Sequence, residues 1–265
     1  MMSQPTHSIV IPAYNESERL AVSIPQVQEY VRERGLAAEI IVVNDGSTDR
    51  TAAVVREFAA ADPTVILLEN PGNRGKGYSV RNGMLRAQGA WALFTDADLS
   101  SPIVEADKLF AALDDGADVA IGSRWLQREL QTERQPLYRQ LYGRVFNLGL
   151  RIVLGLGFKD TQCGFKAFNR RAVNNVFTRQ LIERWGFDPE LLFLAKKLRL
   201  RTVEVPVEWH HDHRSKINPF RDGVRMGMEV LRIRWYDWTG RYRKPAFAKV
   251  MLPRGSQSTP VGPKS

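Results

Sequence analysis

The chain has 265 residues, 43% hydrophobic and 25% charged, with a formal net charge of +9 and one cysteine. Cys163 alone excludes an intramolecular disulfide and a zinc site built on several thiolates, and it fits a reducing compartment. The N-terminus, Met1-Met2-Ser3-Gln4-Pro5-Thr6-His7, lacks the basic and apolar regions of a signal peptide, and no uninterrupted apolar stretch reaches the roughly 18 residues of a membrane span.

The first 123 residues alternate strand and helix patterns. Ser8-Ile9-Val10-Ile11-Pro12 reads as a strand. Leu20, Ile24, Val27 and Val31 then fall at helical spacing, with Pro25 set to kink that helix or start a second piece. Strands follow at 39–43, 65–68, 91–96 and 118–121, with helices at 49–60, 77–87 and 102–113 between them. Such alternation predicts a mostly parallel sheet with helices on both faces. Beyond Arg124 the pattern changes. Residues 137–154 predict one long helix, apolar nearly all round except for the stripe Gln140, Arg144, Asn147 and Arg151. A strand at 202–209 and a helix at 189–197 come next. A last helix places Phe220, Val224, Met228, Leu231, Trp235 and Trp238 on one line, with Arg221, Arg225 and Arg232 beside it. The positive charge is concentrated here: residues 124–151 hold six Arg against two Glu, and residues 210–249 hold ten Lys/Arg against four Asp/Glu. Basic residues beside Trp and Leu point to anionic partners and an interfacial role. No recognition motif accompanies them, so nucleic acid is not expected.

Chemistry is expected at the strand ends. Asp96 and Asp98 close the apolar run Trp91-Ala92-Leu93-Phe94-Thr95. Side chains two apart on a strand share one side, so both carboxylates should leave the carboxyl end of a central strand together. Close carboxylates repel unless a cation intervenes, and Mg²⁺ or Mn²⁺ held by two carboxylates and a substrate phosphate resolves this. Asp45, in Asn44-Asp45-Gly46-Ser47, suits the imide N–H of a pyrimidine, with Tyr14 flanking the ring; Asp49 reads as a helix N-cap. In Asn73-Arg74-Gly75-Lys76-Gly77, small residues would let the backbone approach a phosphate at a helix start, with Lys76 supplying charge. The spacing is neither that of a Walker A loop nor of a dinucleotide fingerprint. His210, His211 and His213 cluster with Asp212, and read better as a polar loop delivering Lys216 than as a zinc site.

Pro12-Ala13-Tyr14-Asn15-Glu16, Asn44-Asp45-Gly46-Ser47, Asn73-Arg74-Gly75-Lys76-Gly77 and Asp96-Ala97-Asp98, in this order, resemble the inverting GT-A glycosyltransferases of family 2. Asp160-Thr161-Gln162-Cys163-Gly164-Phe165-Lys166 and Glu183-Arg184-Trp185-Gly186-Phe187-Asp188, continuing to Glu190-Leu191-Leu192, resemble its dolichyl-phosphate β-glucosyltransferase branch. The resemblance runs from about residue 8 to 240. It implies a GT-A, nucleotide-diphospho-sugar transferase fold. It implies donor binding by Pro12, Ala13, Tyr14, Asn15, Glu16, Asp45, Lys76, Asp96, Ala97 and Asp98, with Mg²⁺ or Mn²⁺ on Asp96 and Asp98. Arg124, Arg139 and Lys216 would meet the acceptor phosphate. Asp96 and Asp98 would serve catalysis, and Asp188 is a base candidate, although its role as N-cap of the helix that follows is preferred. Ser100 stands where related mannosyltransferases carry a metal-assisting Gln, which disfavours a mannosyl donor.

The activity implied is transfer of glucose from UDP-glucose to a polyprenyl (dolichyl-type) phosphate with inversion. A phosphate monoester is mostly a dianion at neutral pH and needs no strong base to act as nucleophile. The rivals are another donor (UDP-N-acetylglucosamine or GDP-mannose), a soluble hydroxyl acceptor, or a non-catalytic nucleotide-sugar or membrane-binding module. The expected organisation is a flexible N-terminus at 1–7, a catalytic domain at 8–218, a basic amphipathic segment at 219–249 and a disordered tail at 250–265. The expected location is peripheral, on the cytoplasmic face of a membrane with anionic lipids; whether an integral membrane partner is also needed stays open.

Overall fold

A computed structural model describes residues 4–127, 147–210 and 219–247. The elements run in chain order: β1 (His7–Ala13), α1 (Ser17–Glu33), β2 (Ala38–Asn44), α2 (Thr51–Ala61), β3 (Val65–Glu69), α3 (Lys76–Arg86) and β4 (Trp91–Phe94). Then come a 3₁₀ turn at Ile103–Glu105, α4 (Ala106–Asp114) and β5 (Val119–Ser123). Residues 147–154 are helical and are called α5. The chain continues with β6 (Lys166–Asn169), α6 (Arg170–Val176), α7 (Phe187–Lys197), β7 (Thr202–Pro206) and α8 (Pro219–Trp238).

Seven strands form one sheet in the order β3-β2-β1-β4-β6-β5-β7. All pairings are parallel except those of β6, which runs antiparallel to both β4 and β5. The mostly parallel sheet expected from the sequence is therefore present. β1 and β2 are buried on both faces, which is why they read as unbroken apolar runs. Ile9, Ile11, Ile40 and Val42 face α1, α2 and α4, whereas Val10, Ile41 and Val43 face α3 and the helices that follow β5. A Cβ on Gly83 would lie 2.4 Å from a Val10 methyl, so α3 approaches the sheet as closely as a helix can.

β6 was not expected. It begins with Lys166, which breaks its apolar pattern, and it is only four residues long. Its register puts Lys166 beside Phe94 and Ile121, the last residues of β4 and the middle of β5. Because β6 runs backwards, its amino end and the Asp160–Phe165 approach to it lie on the same sheet edge as the carboxyl ends of its neighbours. This places a loop from the second half of the chain inside the crevice formed by the first half.

Two local expectations are corrected. α1 continues through Pro25 as one helix, so Pro25 starts no second piece. β4 ends at Phe94, and Ala97-Asp98 form a turn, so alternation along a strand does not orient Asp96 and Asp98. α8 buries Val230 and Ile233, while Met228, Leu231, Trp235 and Trp238, four residues of the apolar line read from the sequence, are exposed. Arg139, Lys216, His211, Asp212, His213, the start of the 137–154 helix and the tail from 250 lie outside the described residues. Among the described residues no helix is long and apolar enough to cross a membrane.

Candidate active site

Three loops meet at the carboxyl edge of β1 and β2. Asn15 takes a left-handed backbone (φ 55°), which Asn tolerates because its short amide bonds locally. Its Oδ1 accepts the Thr48 N–H at 2.8 Å, and its own N–H donates to Ser47 Oγ at 3.0 Å. Asp49 holds two helix starts, accepting the Thr51 N–H and hydroxyl at 2.9 and 2.5 Å and the Ser17 N–H at 3.2 Å. It stands one residue before the cap position of α2, occupied by Arg50. Burial pushes its carboxyl up, but the Thr51 and Ser17 donors outweigh burial and hold it at about 2. Glu16 pairs with Arg19 at 2.7 Å. Pro12 and Ala13 end β1 within the buried sheet, and Tyr14 stands exposed above them.

Asp45 is buried and already has work to do. It accepts the Asn70 side-chain amide at 2.8 Å and the backbone N–H groups of Arg74 and Gly75 at 3.0 and 2.8 Å. It therefore shapes the 70–75 loop that delivers Lys76. Gly46, at φ 69°, lies so close to this loop that a Cβ would sit 2.6 Å from the Gly72 carbonyl carbon.

The glycines around Lys76 serve a different purpose from the one expected. A Cβ on Gly75 would meet the Glu183 carbonyl oxygen at 2.6 Å, and one on Gly77 would meet the Ile182 carbonyl oxygen at 2.7 Å. The Tyr78 N–H donates to the Glu183 carbonyl at 2.9 Å. The small residues thus admit the protein's own chain rather than a phosphate. The segment after α6 is held over α3 by Arg81, whose guanidinium bonds the Gln180 carbonyl and Glu183 at 3.1 and 2.9 Å. Glu190 secures it from below by accepting the Leu181 and Ile182 N–H groups and the Tyr242 hydroxyl at 2.8, 2.9 and 2.7 Å. Burial pushes Glu190 up to about 7, against the pull of these donors.

At the centre, Lys76 Nζ lies 2.5 Å from Asp96 Oδ1. Burial pulls the Lys76 ammonium down, but Asp96, Asp188 and Asp98 more than offset this and hold it above the ordinary lysine range. Three carboxylates therefore converge electrostatically on one cation. The Asp98 Oδ1 accepts the Ser100 N–H at 2.9 Å, which leaves its other oxygen outside that turn. The side chain of Asp96 is 36% exposed, and Gly164 packs against it so tightly that a Cβ there would lie 2.4 Å from Oδ2.

Lys166 is fully buried, and its ammonium donates to Asp188 Oδ1 and the Cys163 carbonyl, each at 2.5 Å. A buried charge needs such partners. Asp188 is consequently not the N-cap of α7. That position is Gly186, and Asp188 lies in the first turn. The Gly186 N–H is taken by Glu229 of α8 at 2.6 Å. Burial pushes the Asp188 carboxyl up, against Lys166 and Lys76.

Arg124, at the end of β5, is clamped by Asp160 through Nε at 2.7 Å and Nη2 at 2.9 Å. Burial lowers the guanidinium pKa, but Asp160 outweighs burial and raises it overall. Asp160 is itself fixed. Its N–H donates to Glu204 at 2.7 Å, and its neighbour Thr161 donates its hydroxyl to Asn147 of α5 at 2.6 Å. The polar stripe of the 137–154 helix is thus used, at Asn147, to hold this loop. The His210 N–H donates to the Ser100 carbonyl at 2.7 Å, which ties the end of the chain after β7 to the Asp98 turn.

The arrangement brings together Asp45, Lys76, Asp96, Asp98, Asp188 and Arg124, drawn from loops after β2, β4 and β5 and from the first turns of α3 and α7. Sequence reasoning assigned no role to Asp160, Gly164, Lys166 or Glu190, although each stood in a quoted motif. A lysine inside Phe165-Lys166-Ala167-Phe168 was the available signal, because a buried lysine requires a carboxylate. Among the described residues no group of three or more His, Cys, Asp and Glu side chains gathers as a metal cage. Two hard carboxylates still fit a divalent ion that completes its shell with substrate oxygens.

The sequence profile described as "Glycosyl transferase family 2" matches residues 8–177. The dolichyl-phosphate beta-glucosyltransferase ALG5D of Trichomonas vaginalis is 36% identical over 255 residues, covering 89% of this chain and 76% of that protein. The human dolichyl-phosphate beta-glucosyltransferase is 34% identical, covering 89% and 77%, and the Saccharomyces cerevisiae protein is 35% identical, covering 89% and 76%. Among solved structures, glucosyl-3-phosphoglycerate synthase from Mycobacterium tuberculosis, in complex with Mn²⁺, UDP and glucosyl-3-phosphoglycerate, superposes with a TM-score of 0.63 at 20% identity. That match covers 91% of this chain and 81% of the other, and it shows a shared GT-A fold. This chain belongs to glycosyl transferase family 2 and is a glycosyltransferase.

Proposed function

We propose that the protein transfers glucose from UDP-glucose to a polyprenyl phosphate of the dolichyl type, giving a β-linked glucosyl phosphate lipid. The observation that carries this reading is the convergence of Lys76, Asp96 and Asp98 on one side of the crevice with the Asp160-clamped Arg124 on the other. It is supported by relatives at 33–37% identity that are dolichyl-phosphate beta-glucosyltransferases. It is supported also by the fold neighbours solved with UDP or UDP-glucose and Mn²⁺.

Asp96 and Asp98 would hold Mg²⁺ or Mn²⁺, which when bound offsets charge on the departing diphosphate. Lys76 pairs with Asp96 here, and with donor in place it can share its cation with a diphosphate oxygen. Asp45 reaches the donor indirectly, by shaping the loop that carries Lys76, while Tyr14 stands exposed beside the Asn15–Glu16 turn to flank the base. Arg124, with Arg139 and Lys216 from the basic segments, would align the acceptor dianion behind the anomeric carbon. The fixed Asp160 contact presets the Arg124 guanidinium plane and so limits the freedom lost on binding. Attack from that side inverts the anomeric centre. Asp188 is committed to Lys166, so its role is to hold the cluster rather than to take a proton. The enzyme would act peripherally, on the cytoplasmic face of a membrane.

Incubation with Mn²⁺, polyprenyl phosphate and radiolabelled UDP-glucose, UDP-N-acetylglucosamine or GDP-mannose, followed by organic extraction, tests the reading. Label in the lipid phase from UDP-glucose is expected. Lipid-phase label from another donor alone overturns the donor assignment, and none from any donor overturns the lipid acceptor.

A further inference from the structure

α8 has two apolar sides. Val230 and Ile233 are buried in the same core cluster as Leu150 and Leu154 of α5. On the opposite side Met228, Leu231, Trp235 and Trp238 are exposed, Leu231 by 63% and Trp238 by 84%. Positions 225, 228, 232 and 235 follow i, i+3, i+7 and i+10, so Arg225 and Arg232 share that outward side with Met228 and Trp235. Asp237 turns away from it to Lys197, whereas Glu229, which accepts the Gly186 N–H, stands among Arg184, Arg225 and Arg232, so the groove carries three positive charges against one negative. Arg184, on the loop over α3, joins Arg225 and Arg232 in lining one surface groove with Met228 and Glu229. Among the described residues none of the three arginines lies within ion-pair distance of a carboxylate. α5 repeats the theme, exposing Leu148 and Ile152 while burying Leu150 and Leu154.

We propose that Arg184, Arg225 and Arg232 form a binding groove for the phosphate headgroups of anionic phospholipid, and that the outward side of α8 docks the enzyme on a bilayer carrying such lipid. Guanidinia beside exposed Trp, Leu and Met match a surface that is anionic outside and apolar beneath. A second copy of the chain is a poorer occupant, since a two-fold contact through this side would set the arginines of both copies against each other. The groove also adjoins the catalytic crevice. Trp185, next to Arg184, lies with its ring 5.8 Å from Lys76 Nζ, and Arg184 itself packs on Gly75. A bilayer on this side would therefore meet the mouth of the site. The inference deepens the lipid-acceptor reading and rests on it, yet it is read by binding without turnover, so either can fail alone.

The test is flotation of the full-length protein with vesicles of phosphatidylcholine, with or without phosphatidylglycerol, at low and high salt. Each basic side chain near an anionic surface contributes about 1 kcal/mol, or about fivefold. The Arg225→Gln/Arg232→Gln protein should therefore bind phosphatidylglycerol vesicles about 30-fold more weakly, with its melting temperature unchanged. Trp235→Ser/Trp238→Ser should weaken binding as well. Equal binding to both vesicle types, or unchanged binding by the arginine variant, overturns the proposal. So does a dimer that these substitutions dissociate, which would make this side a self-association surface. If vesicle binding follows the prediction while no lipid is glucosylated, the docking surface stands and the acceptor reading falls.

Discussion

The two halves of the crevice are built on different principles. On the proposed donor side, at the ends of β1 and β2, polar side chains are consumed by neighbouring backbone: Asp45 by Arg74 and Gly75, Asn15 by Thr48, Asp49 by Thr51 and Ser17. On the far side, around β5, β6 and α7, charges meet charges: Arg124 with Asp160, Lys166 with Asp188, and, at the seam, Lys76 with Asp96. Backbone-bonded carboxylates fix a shape. Ion pairs at the seam hold groups whose partners can be exchanged when a charged substrate arrives. The comparison predicts that substitutions at the seam act on turnover, substitutions in the buried pairs act on stability, and substitutions in the loop carboxylates do little more than loosen a loop.

The largest effect is expected at the seam. Asp96→Asn and Asp98→Asn should each lower kcat by about 10³-fold or more, the scale of losing a group that stabilises charge in the transition state. Their melting temperatures should move little, because Asp96 is partly exposed. A normal rate in either variant would break the comparison.

Next come the buried pairs. Lys166→Met leaves Asp188 buried without its cation and should cost about 3–5 kcal/mol in denaturant unfolding, and Lys166→Met/Asp188→Leu should recover most of it. No recovery in the double variant would show that the pair does more than balance charge.

Glu190 gives a smaller, pH-dependent effect. Its folded value near 7 lies above the ordinary 4.5, so the folded state binds this proton more tightly than the unfolded chain. Its contribution is present in full below pH 4.5 and is lost as pH rises through 7. Thermal melts from pH 5 to 8 should therefore slope downward, and Glu190→Gln should flatten the slope. The smallest effect belongs to Asp49. Asp49→Ala should cost about 1 kcal/mol, the scale of a lost helix cap. Its folded value near 2 lies below the ordinary 3.8, so its contribution is present above 3.8 and is lost as pH falls through 2.

The edge formed by the ends of β1, β2 and β4 was legible in the sequence because it is local. Apolar runs that end in Pro12–Glu16, Asn44–Asp49 and Asp96–Asp98 mark strand ends, and parallel strands place those ends on one edge. The far side was less legible because long-range pairing makes it. Nothing local says that Lys166-Ala167-Phe168-Asn169 inserts antiparallel between β4 and β5, or that Asp188 answers a lysine 22 residues earlier rather than its own helix. Gly75 and Gly77 read as room for a phosphate, because a sequence shows that a backbone is bare without showing what fills the space; here it is the chain at Ile182–Arg184. The α8 side chains show the same limit. Their periodicity and the basic residues beside them pointed to an interfacial face, but nothing local said that the short line Val230 and Ile233 is the one buried.

The central claim is inversion at the sugar by an unassisted phosphate acceptor held opposite the Lys76–Asp96–Asp98 seam. The most direct measurement is the anomeric configuration of the lipid product made from UDP-glucose and polyprenyl phosphate, read by NMR. A β-glucosyl phosphate, absent with Asp98→Asn, is the predicted result; an α-linked product, or β-product formed at full rate by that variant, would contradict it.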